Sequence, residues 1–216
     1  EGSSLSFTGT ATDPGTADTH TYAWTFGDGT SSTTQNVNHT YADDGTFSIT
    51  LTVTDDDGAS ATATSSVTVT NVAPTAGHGG PYTGSEGSPV LFSGSETDPG
   101  TADTHTYAWT FGDGTTGTGQ NPSHTYLDDG VFTVSVIVTD DDGGASAPAT
   151  TTATISNQPP TANAGGAYSG AEGAIISFNG SATDPGAGDT FTYAWTLGDG
   201  TVSIAQNPSH SYADNG

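Results

Sequence analysis

The sequence predicts an all-β protein made of small two-sheet sandwiches joined end to end. The first observation is internal repetition, because Trp24, Trp109 and Trp195 lie 85 and 86 residues apart. The second is the alternation of apolar and polar residues over short segments, which is typical of half-buried strands. The third is the recurrence of Gly, Pro, Asp and Asn about every 8–12 residues, the turn spacing of a sandwich with about seven strands.

The strands can be justified in chain order in the second repeat. Residues 90–95 alternate in polarity after a Gly-Ser-Pro turn, and residues 105–111 place Tyr107, Trp109 and Phe111 on one face. The Gly-Asp-Gly turn at 112–114 favours a tight connection. A short strand at 124–126, an alternating strand at 132–138 and a Thr-rich strand at 149–155 follow. We expect the faces at 107–111 and 132–138 to pack against each other across the two sheets, around the buried Trp24, Trp109 and Trp195.

The repeats define three predicted domains. Residues 12–30 recur letter for letter at 97–115, and a third copy follows from residue 183. We predict that residues 1–72 are a first repeat without the first strand, that 73–157 are a complete repeat, and that 158–216 are a third repeat without the last strands. A period near 85 residues fits a string of small independent domains, so we expect the chain to be a segment of a longer array.

The charge composition excludes several classes of function. The chain has no Lys or Arg and 24 Asp and Glu, which gives a net charge of −24. Nucleic-acid binding needs basic side chains against phosphates, and anionic membrane surfaces attract basic segments. We therefore expect neither nucleic acid nor an anionic membrane surface as a partner. The absence of Cys excludes disulfides and thiolate metal sites. No apolar run approaches the ~18 residues of a membrane span, so membrane insertion is not expected.

The repeated motif resembles a known family. Trp-Thr-Phe-Gly-Asp-Gly from Trp24 is followed by Asn-x-x-His-Thr-Tyr from Asn36 and by an alternating strand from Gly45 to Asp55. This combination, over essentially the whole chain, resembles the PKD (polycystic kidney disease) domain. The family commonly has Asp or Asn where Thr25, Thr110 and Thr196 stand. The resemblance implies an immunoglobulin-like sandwich, an extracellular or cell-surface setting, and a role as a spacer or binding module.

Acidic residues are predicted to converge at one end of each sandwich. The B–C and F–G loops of an immunoglobulin-like sandwich share one pole, where Asp98 and Asp103 meet the run Asp140 to Asp142. Asn71 enters from the preceding linker. Calcium takes six to eight oxygen ligands from flexible loops, so either these residues bind Ca²⁺ or they only form turns. The predicted ligands are Asn71, Asp98, Asp103, Asp140 and Asp142, with the equivalents Asp13, Asp18, Asp55, Asp57, Asn157, Asp184 and Asp189.

Two other recurring features favour structural roles. His39, His124 and His210 each precede a Tyr by two residues, and we expect each to make a structural hydrogen bond. The pair Asp43-Asp44 lies in the predicted E–F turn at the opposite pole. It would face the next repeat, and a solvated turn is the favoured interpretation.

Catalysis finds no support in the sequence, because no nucleophile, base and oxyanion donor can be placed together. We therefore predict a non-catalytic extracellular structural or adhesive array, with Ca²⁺ as the candidate cofactor. The alternative is an accessory spacer or polymer-binding module of a large secreted hydrolase. Predicted partners are neighbouring repeats, identical chains in a filament and an extracellular polymer. The Thr-rich segments 60–70 and 150–156 are the expected free edges for lateral pairing, since no Lys guards them.

Overall fold

The computed structural model describes residues 1–15 and 17–214, and within these ranges the chain forms strands and turns without a helix. No helix in the described part is therefore long and apolar enough to cross a membrane. The first repeat contains β1 (Ser4–Thr8), β2 (His20–Thr25), β3 (Ser31–Ser32), β4 (Asn36–Thr40), β5 (Gly45–Asp55) and β6 (Ser60–Val69).

The second repeat contains nine strands: β7 (Thr75–His78), β8 (Tyr82–Ser85), β9 (Pro89–Leu91), β10 (Gly94–Thr97), β11 (His105–Thr110), β12 (Thr116–Thr118), β13 (Ser123–Thr125), β14 (Gly130–Asp140) and β15 (Ala149–Ser156). The third contains β16 (Thr161–Asn163), β17 (Ile175–Ser177), β18 (Ser181–Thr183), β19 (Trp195–Thr196), β20 (Val202–Ser203) and β21 (Ser209–Ser211). The all-β, tandem immunoglobulin-like architecture predicted from the sequence is confirmed.

The second repeat is a two-layer sandwich. One layer is a five-stranded sheet in the order β12-β11-β14-β15-β8, antiparallel except for the parallel pair β15–β8. The other layer is formed by the antiparallel pairs β7–β10 and β9–β13. Val90 and Phe92 of this second layer pack in one buried cluster with Trp109, Val134 and Val136 of the first. The core therefore lies between the layers, and the loops that connect them gather at the two ends.

One predicted packing relation is wrong. The faces at 107–111 and 132–138 do not oppose each other across two sheets, because β11 and β14 are neighbours in the same sheet, with Trp109 opposite Val136. Both strands present their apolar residues to the same side, and the β9 region supplies the opposing layer. Alternation defines which residues face inward, but it does not define which sheet a strand joins.

The three tryptophans differ in burial. Trp109 is 1% exposed and Trp24 is 7% exposed, as expected. In both, the indole N–H donates to a backbone carbonyl, 3.0 Å to Gly119 and 3.1 Å to Thr34. Trp195 is only half-buried, contrary to the prediction. The reason is that the described residues of the third repeat, 158–214, include no counterpart of β14, the strand that packs beside Trp109 in the second repeat.

The recurring histidines make the structural hydrogen bonds that were expected. His39, His124 and His210 place Nε2 at 2.7, 2.6 and 2.6 Å from the Oδ2 atoms of Asp28, Asp113 and Asp199. The imidazole of His124 also stacks on Phe111, with ring centroids 4.2 Å apart. These contacts connect each Gly-Asp-Gly turn to the second strand after it, which is β4, β13 or β21.

The predicted free edges are only partly present. In the first repeat the sheet order is β3-β2-β5-β6, so β6 pairs with β5 along one side and ends the sheet. In the second repeat the corresponding strand β15 is not a free edge, because residues 153–156 pair with β8. The prediction of a free edge at 150–156 is therefore wrong for most of its length, since the strand that covers it comes from the segment before Glu86.

Candidate metal centre

Successive repeats meet through equivalent small residues. A Cβ added to Gly2 would lie 2.5 Å from the Cβ of Pro99, and one added to Gly87 would lie 2.6 Å from the Cβ of Pro185. The backbone N–H of Ala102 also donates to the carbonyl of Ala42 across the first junction, at 3.1 Å. The E–F turn of one repeat and the B–C loop of the next are thereby brought together, and both loops are rich in acids.

Most of the predicted ligand set of the second repeat is brought together. Carboxylate oxygens of Asp98, Asp103 and Asp140 lie within 4.8 Å of one another. Asn71 joins them, because its Nδ2 donates to Asp140 Oδ2 at 3.1 Å. Asp140 is 5% exposed, and its Oδ1 accepts the backbone N–H of Gly144 at 2.6 Å. The linker, the B–C loop and the F–G loop thus meet at one pole, as the loop topology predicted.

Several oxygens at this pole have no partner within the described part of the chain. They are Asn71 Oδ1 and both carboxylate oxygens of Asp103. Asp98 is better satisfied, since Oδ1 accepts from the backbone of Gly100 and Oδ2 lies 2.9 Å from His105 Nε2. Burying an acceptor without a donor costs free energy. A cation bound here would therefore stabilise the oxygens of Asn71 and Asp103 most.

Burial and neighbouring negative charges raise the pKa of Asp103 to about 6. Burial of the carboxylate is the largest cause, followed by repulsion from Glu1, Asp98, Asp43 and Asp141. Because this pKa lies above the ordinary Asp value, ionising Asp103 costs more free energy in the folded protein than ionising an ordinary Asp. A bound divalent cation would reverse this balance by attracting the same charges that now repel one another.

The second junction has an equivalent cluster. Oxygens of Glu86, Asp184 and Asp189 lie within 4.8 Å of one another, and Asp184 Oδ2 is buried without a partner among the described residues. The pKa of Asp189 is raised by burial and then by repulsion from Glu86, Asp184, Asp128 and Asp129. Here Phe191 stands where the second repeat has His105, so the second carboxylate oxygen of Asp184 has no imidazole beside it.

The remaining predicted ligands lie elsewhere. Asp142 groups with Asp43 and Asp44 of the preceding repeat, so this E–F pair does face its neighbour and is not only a solvated turn. Asn157 and Asp57 are exposed, and Asp18 lies beside Gly15. Two residues of the first repeat make local contacts: Asp13 lies 3.6 Å from His20, and Asp55 accepts the backbone N–H of Ala59.

Sequence reasoning missed the glutamates. Glu1 and Glu86 are 7% and 0% exposed, and each has one buried oxygen without a partner in the described ranges. The missed signal is scarcity, because the chain has only four Glu and three of them, Glu1, Glu86 and Glu172, occupy equivalent positions. Asp128 and Asp129, which group with Glu86, were also missed. They are the second-repeat equivalents of Asp43-Asp44, for which a solvated turn was the favoured interpretation.

The donor set fits a hard cation. Every unpartnered atom at the junctions is a carboxylate or amide oxygen, the donors that Ca²⁺ and Mg²⁺ take. Zinc prefers Cys and His, and the chain has no Cys. Donors on several flexible loops suit the larger and less regular coordination of Ca²⁺ better than the strict octahedron of Mg²⁺.

Comparison with known sequences identifies short matches in much larger proteins. Collagenase ColA of Bacillus cereus (strain ATCC 14579) is 39% identical over 61 residues, which cover 28% of this chain and 6% of the collagenase. Collagenase ColQ1 of Bacillus cereus (strain Q1) is 42% identical over 72 residues, which cover 32% of this chain and 7% of the collagenase. The matched region is therefore a small fraction of the length of either enzyme.

Among solved structures, the PKD1 domain of Vibrio anguillarum Epp is 30% identical, with a TM-score of 0.33, over 40% of this chain and 100% of that domain. The PKD domain of an M14-like peptidase from Thermoplasmatales archaeon SCGC AB-540-F20 is 25% identical, with a TM-score of 0.32, over 38% of this chain and 92% of that domain. The model of the PKD domain family matches residues 1–70, 71–155 and 157–216. Because these three matches span almost the whole sequence, the chain belongs to the PKD domain family.

Proposed function

We propose that the chain is a non-catalytic spacer within a larger extracellular or cell-surface protein, and that Ca²⁺ stiffens the junctions between its repeats. Its function is structural or adhesive: it holds other parts of the protein at a fixed distance. The short matches to two collagenases support the extracellular setting.

The observation that carries this proposal is that the same junction is built twice. Gly2 meets Pro99 at the first junction, and their equivalents Gly87 and Pro185 meet at the second. Both glycines adopt a positive φ, +66° and +68°, which side-chain-bearing residues rarely adopt. A junction whose geometry is the same in both copies and is sterically restricted favours a regular thread over a flexible string.

Calcium is the candidate for the stabilising ligand. At the first junction, Asn71, Asp98, Asp103 and Asp140 offer oxygens from the linker and two loops, and no Lys or Arg is available to neutralise them. A cation bound by the folded state alone would stabilise it by RT ln(1 + [L]/Kd), about 2.7 kcal/mol at a hundredfold excess over Kd. Chelation should therefore lower the melting temperature of the full chain.

Lateral association into a filament is a further part of the proposal. Identical chains cannot pair through salt bridges, because every Asp and Glu lacks a Lys or Arg counterpart. Divalent cations, strand-edge pairing or aromatic contacts would have to bring them together. Their mutual repulsion is screened beyond a Debye length of about 8 Å at physiological salt, so it acts only when the chains are close together.

Thermal unfolding with electron microscopy tests this function. The full chain should melt at a higher temperature in millimolar Ca²⁺ than in chelator, and longer arrays of the same repeat should appear as extended threads. Equal melting temperatures together with a random distribution of bend angles would contradict the proposal.

A second candidate is an accessory module that holds a secreted hydrolase on an insoluble polymer. It is favoured by the short matches to two collagenases. Against it, the large hydrophobic side chains that are exposed among residues 1–15 and 17–214 are aliphatic, so no exposed aromatic platform is available there to stack on a polymer. Co-sedimentation with insoluble collagen and with polysaccharide decides between the two: tight binding by flexible monomers in high Ca²⁺ would support the accessory module.

A further inference from the structure

Glu86 carries the most deeply buried carboxylate at either junction. Its side chain is 0% exposed, and its Oε1 accepts the backbone N–H of Gln158 at 2.5 Å. Its Oε2 is buried and has no hydrogen-bond partner within the described residues. One oxygen of Glu86 is thus fixed by its own linker, while the other is left free.

The free oxygen of Glu86 points to the next repeat. A Cβ added to Gly186 of the third repeat would lie 2.6 Å from Glu86 Oε2, so a side chain at this position would have to displace the Glu86 carboxylate. Oxygens of Asp184 and Asp189, also from the third repeat, lie within 4.8 Å of it. Asp184 contributes a second buried oxygen without a partner, Oδ2, while its Oδ1 is held by the backbone N–H of Gly186 at 2.8 Å.

The first junction repeats this arrangement. Glu1 Oε1 accepts the backbone N–H of Val72 at 2.8 Å, and Glu1 Oε2 is buried and unpartnered among the residues that the structure describes. A Cβ added to Gly100 would lie 2.7 Å from the carboxyl carbon of Glu1. Glu1, Asp43 and Asp103 bring oxygens within 4.8 Å of one another. Two independent junctions therefore aim a buried glutamate oxygen at acids of the following repeat.

Three carboxylates at this separation repel one another unless a positive charge lies between them. The chain has no Lys or Arg to provide it, and at the second junction Phe191 stands where the second repeat has His105. An unpaired buried charge is costly, whereas a hard divalent cation satisfies several oxygens at once.

We propose that Glu86 is a cross-repeat ligand to a divalent cation of the calcium class, which it shares with Asp184 and Asp189 of the next repeat. Glu1 has the same role with Asp43 and Asp103. This inference rests on the proposed function and deepens it. The ligands predicted from the sequence all belong to one repeat and its linker, whereas Glu86 makes the site depend on two neighbouring repeats. Cation binding and the orientation of the repeats are then coupled.

Calorimetric titration of the full chain with CaCl₂, and separately with MgCl₂, tests the proposal. Glu86→Gln should abolish one calcium equivalent or weaken it by about tenfold or more. Glu172→Gln is the matched control, because Glu172 occupies the equivalent position but is exposed. The control should titrate like the wild type. A loss of the same size in both variants would overturn the proposal.

Thermal unfolding gives a second readout that a purely structural glutamate would not reproduce. In chelator, Glu86→Gln should raise the melting temperature, because a neutral amide replaces a repelled carboxylate. In millimolar Ca²⁺ the same substitution should lower it. If Glu86→Gln does not fold, Asp189→Asn is titrated instead, with the same expected loss.

The outcomes separate the two proposals. If Glu86→Gln binds calcium like the wild type while Asp140→Asn does not, the cross-repeat ligand is wrong and the proposed function stands. If the wild type takes up no calcium in the millimolar range, both the cross-repeat ligand and the calcium-stiffened junction are wrong.

Discussion

At the scale of single residues, burial determines the role of each aromatic side chain. Trp109 is almost inaccessible and its indole N–H is bonded to Gly119, whereas Trp195 is half-buried and its Nε1 has no partner in the described part of the chain. The sequence predicted the first correctly because alternation identifies the inward face. It could not predict the second, because the exposure of Trp195 reflects a strand that its repeat does not have here.

Substitution of Trp109 tests this reasoning. Trp109→Ala should lower the free energy of unfolding by about 3–5 kcal/mol, because the cavity it leaves is lined by well-packed residues. Trp195→Ala should lower the free energy of unfolding by clearly less, since much of the Trp195 surface is already in solvent. Urea unfolding of both variants measures the two costs, and equal losses would contradict the difference in packing.

The aspartates of the Gly-Asp-Gly turns give a pH dependence. Burial opposes ionisation of Asp113, but hydrogen bonds from Thr115 and then His124 outweigh it and lower the pKa of Asp113. At the equivalent turn, the backbone N–H of Thr201 and then His210 lower the pKa of Asp199 to about 2. A carboxyl whose pKa is lower in the folded state stabilises the fold above its unfolded pKa and loses this effect as pH falls through the folded value.

Asp113→Asn should therefore be less stable than the wild type at pH 7. The difference should shrink as the pH falls below the ordinary Asp pKa of 3.8 towards the lower folded pKa of Asp113. Urea midpoints across this acid range measure the change. A difference that stays constant down to the acid limit would show that the charge of Asp113 does not contribute.

At the scale of elements, the strands were easier to predict than their partners. The alternating pattern located β11, β14 and β15, but the strand predicted at 90–95 is divided into β9 and β10. The prediction that β11 and β14 lie in different sheets was wrong, because period-two alternation carries no information about which strands are neighbours. The loop acids were placed at the correct pole by topology, yet Glu86 was missed, since its burial depends on contact with the next repeat.

The tight turn after β11 depends on two glycines with different surroundings. Gly112 and Gly114 have φ values of +86° and +89°, so alanine is strained at both positions. A Cβ on Gly112 would lie 2.5 Å from the carbonyl oxygen of Thr133, whereas a Cβ on Gly114 meets nothing within 4 Å.

Gly114→Ala should therefore cost only the backbone strain, about 1–2 kcal/mol. Gly112→Ala should cost more, because the backbone of β14 must also move. Thermal unfolding of the two variants compares them directly. A larger loss for Gly114→Ala would contradict the steric account of this turn.

At the scale of the whole molecule, the main feature is the distribution of negative charge along the array. The net charge of −24 has no Lys or Arg to offset it, and acids from consecutive repeats are concentrated at the junctions. The sequence predicted that acids would converge but assigned the E–F pair Asp43-Asp44 to a solvated turn. Only the contact between repeats shows that this pair faces Asp142 of the next repeat.

Small-angle X-ray scattering of the full chain, in millimolar Ca²⁺ and in chelator, tests the central claim that cations fix the orientation of neighbouring repeats. We expect one extended conformation to fit the data in Ca²⁺. In chelator, where the junction carboxylates repel one another, only an ensemble with variable bend angles should fit. Identical scattering in the two conditions would contradict the claim, because the junctions would then hold their geometry without a cation.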